Sequence, residues 1–476
     1  MNPASLPLGN GLIILWLALG WWPGSAFAQG NSDPLLTTIT NPTPVASDIF
    51  GGAAAAVGSD RVIVGAEGAG EAYLFSLTGT LLTTFTNPAP ANALGSGFGA
   101  SVAGVGSDRV VIGAPNQYNY TTGRQLAQIG AAYLLSTNGT LVTTFTNPAP
   151  AAVQAFGWTV TAVGSERALI SGLADVNKPA PYPGTAYLFS TNGTLLTSFT
   201  NPTPAFDGGF GAAAAAVGSD RVLIGAPDNS TGAAAAGSAY LFSTNGTLLT
   251  TFTNPIPATG DNFGTSVAAV GSGRVLISAI DYGGSKGTGG AAYLFSTNGT
   301  LLNTFTNPTP AAFDYFGWSV AAVGSTRVLI GAYQDGTGAF QAGSAYLFST
   351  NGTLLNTFTN PTPATQDWFA WSVAAVGTDR VIIGGIWDNT GAPHAGSAYL
   401  FALPYPPLSI ARTAATVSVS WVTPETGLAL QETGLLGTPT VWSNTAQSVS
   451  INGLRNVIQQ AIVSGITNRF YRLRRP

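Results

Sequence analysis

The sequence predicts an all-β protein: a seven-bladed β-propeller closed by an N-terminal strand and followed by a small β-sandwich. Three observations carry this expectation. The 476-residue chain holds 61 Gly and 30 Pro and is only 8% charged, a composition poor in helix formers. A Phe-Gly pair recurs at Phe50, Phe98, Phe156, Phe210, Phe263 and Phe316, and as Phe-Ala at Phe369, in steps of 48, 58, 54, 53, 53 and 53 residues. The units are built of four short apolar runs, such as SVAAVG, DRVLIGA, GSAYLFS and TLLTTF, bounded by Gly, Pro or Asn-Gly, with the fourth missing from the seventh unit.

The elements follow in chain order. Residues 1–28 contain the apolar run GLIILWLALGWW, too short to span a bilayer comfortably, then small residues at Ala26 and Ala28. This is the pattern of a secretory signal peptide cut after Ala28, although no Lys or Arg precedes the run. The reading implies export, with no stable transmembrane span after cleavage. The absence of cysteine excludes disulfides, thiolate metal sites and a lipid-modified cysteine.

Residues 35–403 form the predicted propeller. Small side chains in the first run of each unit, as in AAAAVG from Ala53, suit the strand nearest the axis. The third run alternates, so Tyr240 and Phe242 share one face and Leu241 takes the other, both apolar as a blade between two neighbours requires. TNG between the third and fourth runs reads as a tight hairpin with Asn and Gly at positive φ. The fourth run is rich in Thr and suits a wet outer edge. The seventh unit runs into LPYPP and lacks its fourth run, whereas LLTTI at residues 35–39 is a fourth run without a blade. Pairing the two near Ala398 to Phe401 would close the ring.

FGASVAGVGSDRVVIGAP from Phe98 and FGAAAAAVGSDRVLIGAP from Phe210, each closed by AAYLL or SAYLF, resemble FG-GAP repeats, the units of integrin α-subunit propellers and of many exported bacterial proteins. The resemblance covers about 370 residues and implies a propeller used for binding or adhesion, with no reaction attached. Many units of that kind carry a calcium loop of the DxDxDG type between the first two strands. Here the equivalent segment is VGSDRV, with one acid or none, too few oxygens for calcium. No metal and no cofactor are therefore expected. The Arg after that acid, from Arg61 to Arg380, reads as a solvated or Asp-paired side chain.

A second group of acids falls on one rim, where antiparallel pairing brings the start of the first strand beside the end of the second. Asp48, Asp207, Asp261, Asp314 and Asp367 lie near the former; Glu67, Asp175, Asp228, Asp281, Asp335 and Asp388 lie near the latter. The same loops carry Trp318, Trp368, Trp387, Tyr282, Tyr315 and Tyr333. Two readings stand: Asp residues that shape their own loops, or an acidic, aromatic face for an extracellular glycan or protein partner. His394 is the only histidine, so triad chemistry has no distinguishing support.

Residues 407–476 leave the repeat and alternate like short strands, predicting a small β-sandwich. This segment resembles terminal modules of large exported proteins of Verrucomicrobia-like bacteria, including its closing FYRL. Six Arg against Glu425 and Glu432 make it basic, +4, and leave −8 for the rest of a chain of net charge −4. Nothing in the main body is basic enough for nucleic acid. The expected protein is a monomeric, non-catalytic binding or adhesion scaffold, secreted or at the bacterial cell surface. The alternatives are a propeller glycoside hydrolase or lyase acting on polysaccharide, and a purely structural surface-display protein.

Overall fold

A computed structural model describes residues 35–89, 97–115, 130–149, 155–173, 184–203, 208–281 and 289–403, together with short strands between 409 and 474. The signal-peptide segment lies outside the described residues. Leu35–Ala402 forms one compact unit, built of seven four-stranded antiparallel sheets, with no helix among the described residues. Blade four is representative: Ala214–Val217, Arg221–Ala226, Ser238–Ser243 and Leu248–Thr253 pair in sequence order as a meander. The first strands of consecutive blades neighbour one another, including those of blades one and seven, so they surround a central axis.

Alternation in the third strand divides each blade as expected. Tyr240 and Phe242 pack on Leu169, Leu188 and Phe199 of blade three, whereas Leu241 and Ala239 pack on Val275 and Ile277 of blade five. Ring contacts extend the interdigitation, with Phe199 and Phe242 at 5.4 Å. The glycine of the Phe-Gly pair and that of the second strand have a shared steric cause: a Cβ on Gly99, after Phe98, would meet the carbonyl oxygen of Glu71 in blade one at 2.3 Å. A Cβ on Gly65 in the second strand of blade one would meet the carbonyl oxygen of Gly99 at 2.0 Å, so neighbouring backbones touch where blades converge. In blade three Ser171 replaces that glycine, and its hydroxyl donates to the Gly211 carbonyl at 2.6 Å.

Closure of the ring follows the half repeat. Leu35–Thr40 pairs antiparallel with Ser397–Ala402, Thr38 opposite Tyr399 and Ile39 opposite Ala398, supplying the fourth strand of blade seven. Ile39 is buried and joins Phe50, Val62, Tyr73 and Phe75 of blade one with Ile382 and Leu400 of blade seven.

Two details differ from the sequence expectation. In the hairpin after the third strand, Gly139 takes φ 91°, but Asn138 is not among the positive-φ residues. Gly139 N donates to Ser136 O at 2.9 Å and the following register shifts, so the loop is longer than a two-residue turn; Asn138 Oδ1 instead accepts from Thr140 N at 3.1 Å. In blades one to six the second-strand arginine does more than stand solvated or beside a preceding acid. Arg109, Arg221 and Arg327 donate to the turn carbonyls of Ser165, Ser272 and Thr378 in the next blade, at 2.9, 2.6 and 2.5 Å. Arg61, Arg167 and Arg274 do the same to Ser107, Ser219 and Ser325. Thr83, Thr143, Thr197 and Thr250 of the outer strands repeat this device, each hydroxyl donating to a carbonyl one blade on.

Beyond Leu403 the chain belongs to a second unit. Its described strands make two antiparallel sheets, one of Ser409–Arg412, Thr416–Val422, Arg455–Ala461 and Ser450–Asn452, the other of Ser443–Asn444, Ala429–Thr433 and Phe470–Arg474.

Candidate binding face

The acids predicted near the start of the first strand are loop clamps. Asp48 Oδ2 accepts from Asn41 Nδ2 and Val45 N, both at 2.7 Å, while Asn41 Oδ1 accepts from Thr43 N at 3.0 Å. The same arrangement recurs seven residues apart in Asn254 and Asp261, Asn307 and Asp314, and Asn360 and Asp367. All four carboxylates are buried. The Asn of these four Asn-Pro pairs is thereby explained: its amide spans the loop, donating to the acid and accepting from the turn.

The acids after the second strand are also internal. Tyr346 Oη donates to Asp335 Oδ2 at 2.6 Å, and Thr337 N donates to Asp335 Oδ1 at 2.8 Å. Tyr399 Oη donates to Asp388 Oδ2, and Thr390 N to Asp388 Oδ1 at 2.8 Å. In blade four this place belongs to Asn229 and not to Asp228. Asn229 O accepts from Gly237 N as Asp335 O does from Gly343 N and Asp388 O from Gly396 N, and Asn229 Nδ2 bonds Tyr240 Oη at 2.7 Å. Asp228 is half-buried and accepts from Asn262 Nδ2 at 2.9 Å. Asp281 is buried, with its N–H donating to Asp261 O at 3.4 Å. Asp175, Asp207 and Tyr282 lie outside the described residues. The described acids thus sit mostly beneath the predicted face and hold its loops; they do not form an exposed acidic surface.

Burial sets their protonation. Desolvation pushes Asp314 up to about 6, opposed by the Ala311 N–H and reinforced by the Asp335 charge. Desolvation likewise pushes Asp367 up to about 6, with the Ala364 N–H opposing and Asp388 reinforcing. Burial first, then the Asp388 carboxylate, hold the Tyr399 phenol far above its ordinary range. Among the described residues no group of three His, Cys, Asp or Glu is placed to hold a metal ion, and no helix is long and apolar enough to cross a membrane.

The aromatic residues behave differently, because they break the seven-fold pattern. Rings run in contact across blades six and seven: Tyr315 stacks on Tyr333 at 5.4 Å, Tyr333 meets Trp318 at 4.9 Å and Trp371 at 5.0 Å, and Trp318 meets Trp371 at 4.7 Å. Trp371 lies parallel to Trp368 at 5.6 Å, Trp368 stacks on Trp387 at 3.5 Å, and His394 stacks on Trp387 at 4.8 Å. Trp318, Trp368 and Trp387 are half-buried and Tyr333 is buried. Tyr315 and Trp368 take φ 53° and 52°, a left-handed turn that every blade makes before its motif Phe, at Ile49, Gly97, Ala155, Gly209 and Asn262 in the other five. The Trp368 Nε1–H is buried without an acceptor among the described residues.

Trp158 and Trp371 are absent from the predicted set, although both follow a Phe-Gly or Phe-Ala pair directly, as Trp318 does. The seven residues at this position make one backbone bond: Gly52, Ala100, Trp158, Ala212, Thr265, Trp318 and Trp371 each donate to the carbonyl three residues back. Only the side chains differ, and counting on from the Phe-Gly pair would have found them.

Comparison with known proteins agrees with the fold. Three propellers of known structure align with the chain: the WD40 β-propeller domain of Doa1, at 13% identity and TM-score 0.50 over 78% of this chain and 96% of that one; a streptogramin B lyase, at 12% and 0.51 over 77% and 97%; and virginiamycin B lyase from Staphylococcus aureus, at 12% and 0.52 over 77% and 98%. At such identities they bear on fold alone. No curated protein matches the sequence. Residues 303–348 and 356–401 match the FG-GAP repeat family, and these segments end on the third strands of blades six and seven. The chain therefore carries FG-GAP repeats on a seven-bladed β-propeller.

Proposed function

We propose that this protein is an exported, monomeric, non-catalytic binding scaffold that presents the loop face of blades six and seven to a glycan or protein partner outside the cell, with residues 407–476 as an appended β-sandwich. One observation carries the reading. Seven near-identical blades share a backbone plan, but among the described residues the continuous tract of aromatic rings lies on two adjoining blades. A scaffold without a ligand has no need of that local departure. Loops on a rigid sheet frame are a common place for recognition. The carboxylates closest in sequence to the tract are occupied by Asn, Tyr and backbone donors. That occupation favours binding over paired-carboxylate hydrolysis. The test is a glycan and surface-protein array probed with the mature chain and with a Trp318→Ala/Trp371→Ala variant. Hits lost in the variant support the reading; hits retained at full strength exclude this face.

A further inference from the structure

Carboxylates and aromatic rings adjoin on the rim of blades six and seven. Asp314 precedes Tyr315, Asp367 precedes Trp368 and Asp388 follows Trp387. These three acids and Asp335 are buried, and the donors they accept from are neutral amide, hydroxyl and backbone N–H groups. The charge that bears on Asp314 is the Asp335 carboxylate, and the one that bears on Asp367 is the Asp388 carboxylate. Two pairs of acids thus lie beside the rings, with no cation among their partners within the described residues. The rings themselves are inclined to one another. Tyr315 and Trp318 meet at 58° with centroids 6.3 Å apart, and Trp318 and Trp371 at 48° and 4.7 Å. All three are half-buried, so part of each ring meets water.

We infer that the rings at the junction of blades six and seven bind a quaternary ammonium group, of the kind choline carries, displayed by the glycan or protein partner. The inference rests on the reading that this rim binds a partner, and it specifies the ligand class. Three features select that class. The π faces of indole and phenol attract cations, and neighbouring carboxylates deepen the negative potential. Inclined rings suit a compact, near-spherical group that touches two at once, whereas a flat ligand lies on one face only. The polar groups of the rim are already engaged. Besides the acids, Gln366 donates to Gln341 at 3.3 Å and Gln341 to Gln334 at 2.9 Å. An ammonium or guanidinium would bring N–H donors that need acceptors, and a quaternary ammonium brings none.

The test titrates the full chain with choline, with neohexyl alcohol as its uncharged carbon counterpart, and with methylguanidinium, read by tryptophan fluorescence and calorimetry. Choline is expected to bind ~10-fold or more tighter than either of the others. Trp318→Ala and Trp371→Ala should each weaken choline by ~10-fold, and Trp371→Phe, which keeps a ring, should retain most of the affinity. Asp367→Asn should weaken choline and leave the alcohol unchanged, a comparison that holds even where an alanine variant fails to fold. Tighter binding of phosphocholine than of an N-acetylated trimethyl-lysine amide would assign the group to a glycan, and the reverse order to a protein. Equal affinity for choline and the alcohol, or choline binding unaffected by Trp371→Ala, would overturn the inference. Absence of choline binding alongside array hits that Trp318→Ala/Trp371→Ala abolishes would overturn the ligand class alone and leave the rim as the binding face.

Discussion

Trp318 and Trp371 occupy equivalent places in blades six and seven, one repeat apart, and their ring centroids lie 4.7 Å from each other. The contact joins two blades at the level where the innermost strands begin. It also marks where a repetitive scaffold departs from repetition. Around it, the structure supplies a closed frame, a layer of buried carboxylates that fixes the loops, and rings above that layer.

Closure of the frame is testable at Ile39. This side chain is buried between blades one and seven, so Ile39→Ala should cost ~2–5 kcal/mol, the range for a truncated core side chain. Removal of residues 35–39 should cost more and leave Ser397–Ala402 as an open sheet edge that promotes association. Urea unfolding and light scattering measure the two effects. An unchanged midpoint for both variants would mean that the strand is dispensable.

The inter-blade arginines should matter more than surface ion pairs do. Arg327 is buried and donates to Thr378 of the next blade, so Arg327→Ala should lose ~1–3 kcal/mol, as for a hydrogen bond from a charged group. Asp220→Ala, which removes an exposed partner of Arg221 at 3.5 Å, should lose no more than ~1 kcal/mol. Chemical denaturation of the two variants gives the comparison.

Tyr399 supplies the Asp388 carboxylate with a hydroxyl donor in a buried setting. Tyr399→Phe keeps the ring packing and removes the donor, and should cost ~1–3 kcal/mol through the carboxylate left short of a partner. Thermal unfolding at neutral pH reads this directly.

Stability should also depend on pH through Asp314 and Asp367. Their folded values, about 6, lie above the ordinary carboxylate range, so the folded chain binds these protons more tightly than the unfolded one. Their contribution is fully present below about pH 4 and is lost as pH rises through about 6. Asp367→Asn keeps an acceptor for Asn360 and Ala364, and should equal the parent near pH 4 and exceed it near pH 7. Calorimetric scans at the two pH values measure the difference.

Much of the fold was legible because repetition supplied its own alignment: seven Phe-led units, four runs in each, and a half unit at residues 35–39 that matched the gap after Phe401. The roles of the acids were less legible. An Asp in a loop reads the same whether it faces water or lies beneath the loop, and the deciding signal was its partner, the Asn seven residues earlier. Asp228 is not the equivalent acid, because the true position in blade four carries an amide: three residues past the second strand, or eight before Gly237, Gly343 and Gly396, stand Asn229, Asp335 and Asp388. The reach of each Arg into the next blade could not be read from sequence at all, since its acceptor is a backbone carbonyl about fifty residues on.

The proposed recognition surface is the aromatic rim of blades six and seven. The most direct measurement compares array binding by the parent, by Trp318→Ala/Trp371→Ala, and by a control altered on the exposed outer strands, Leu82→Ala/Leu249→Ala. Thermal midpoints are recorded for all three. The account predicts loss of binding in the tryptophan variant alone, with its fold intact. Full binding by that variant and loss in the outer-strand control would contradict it.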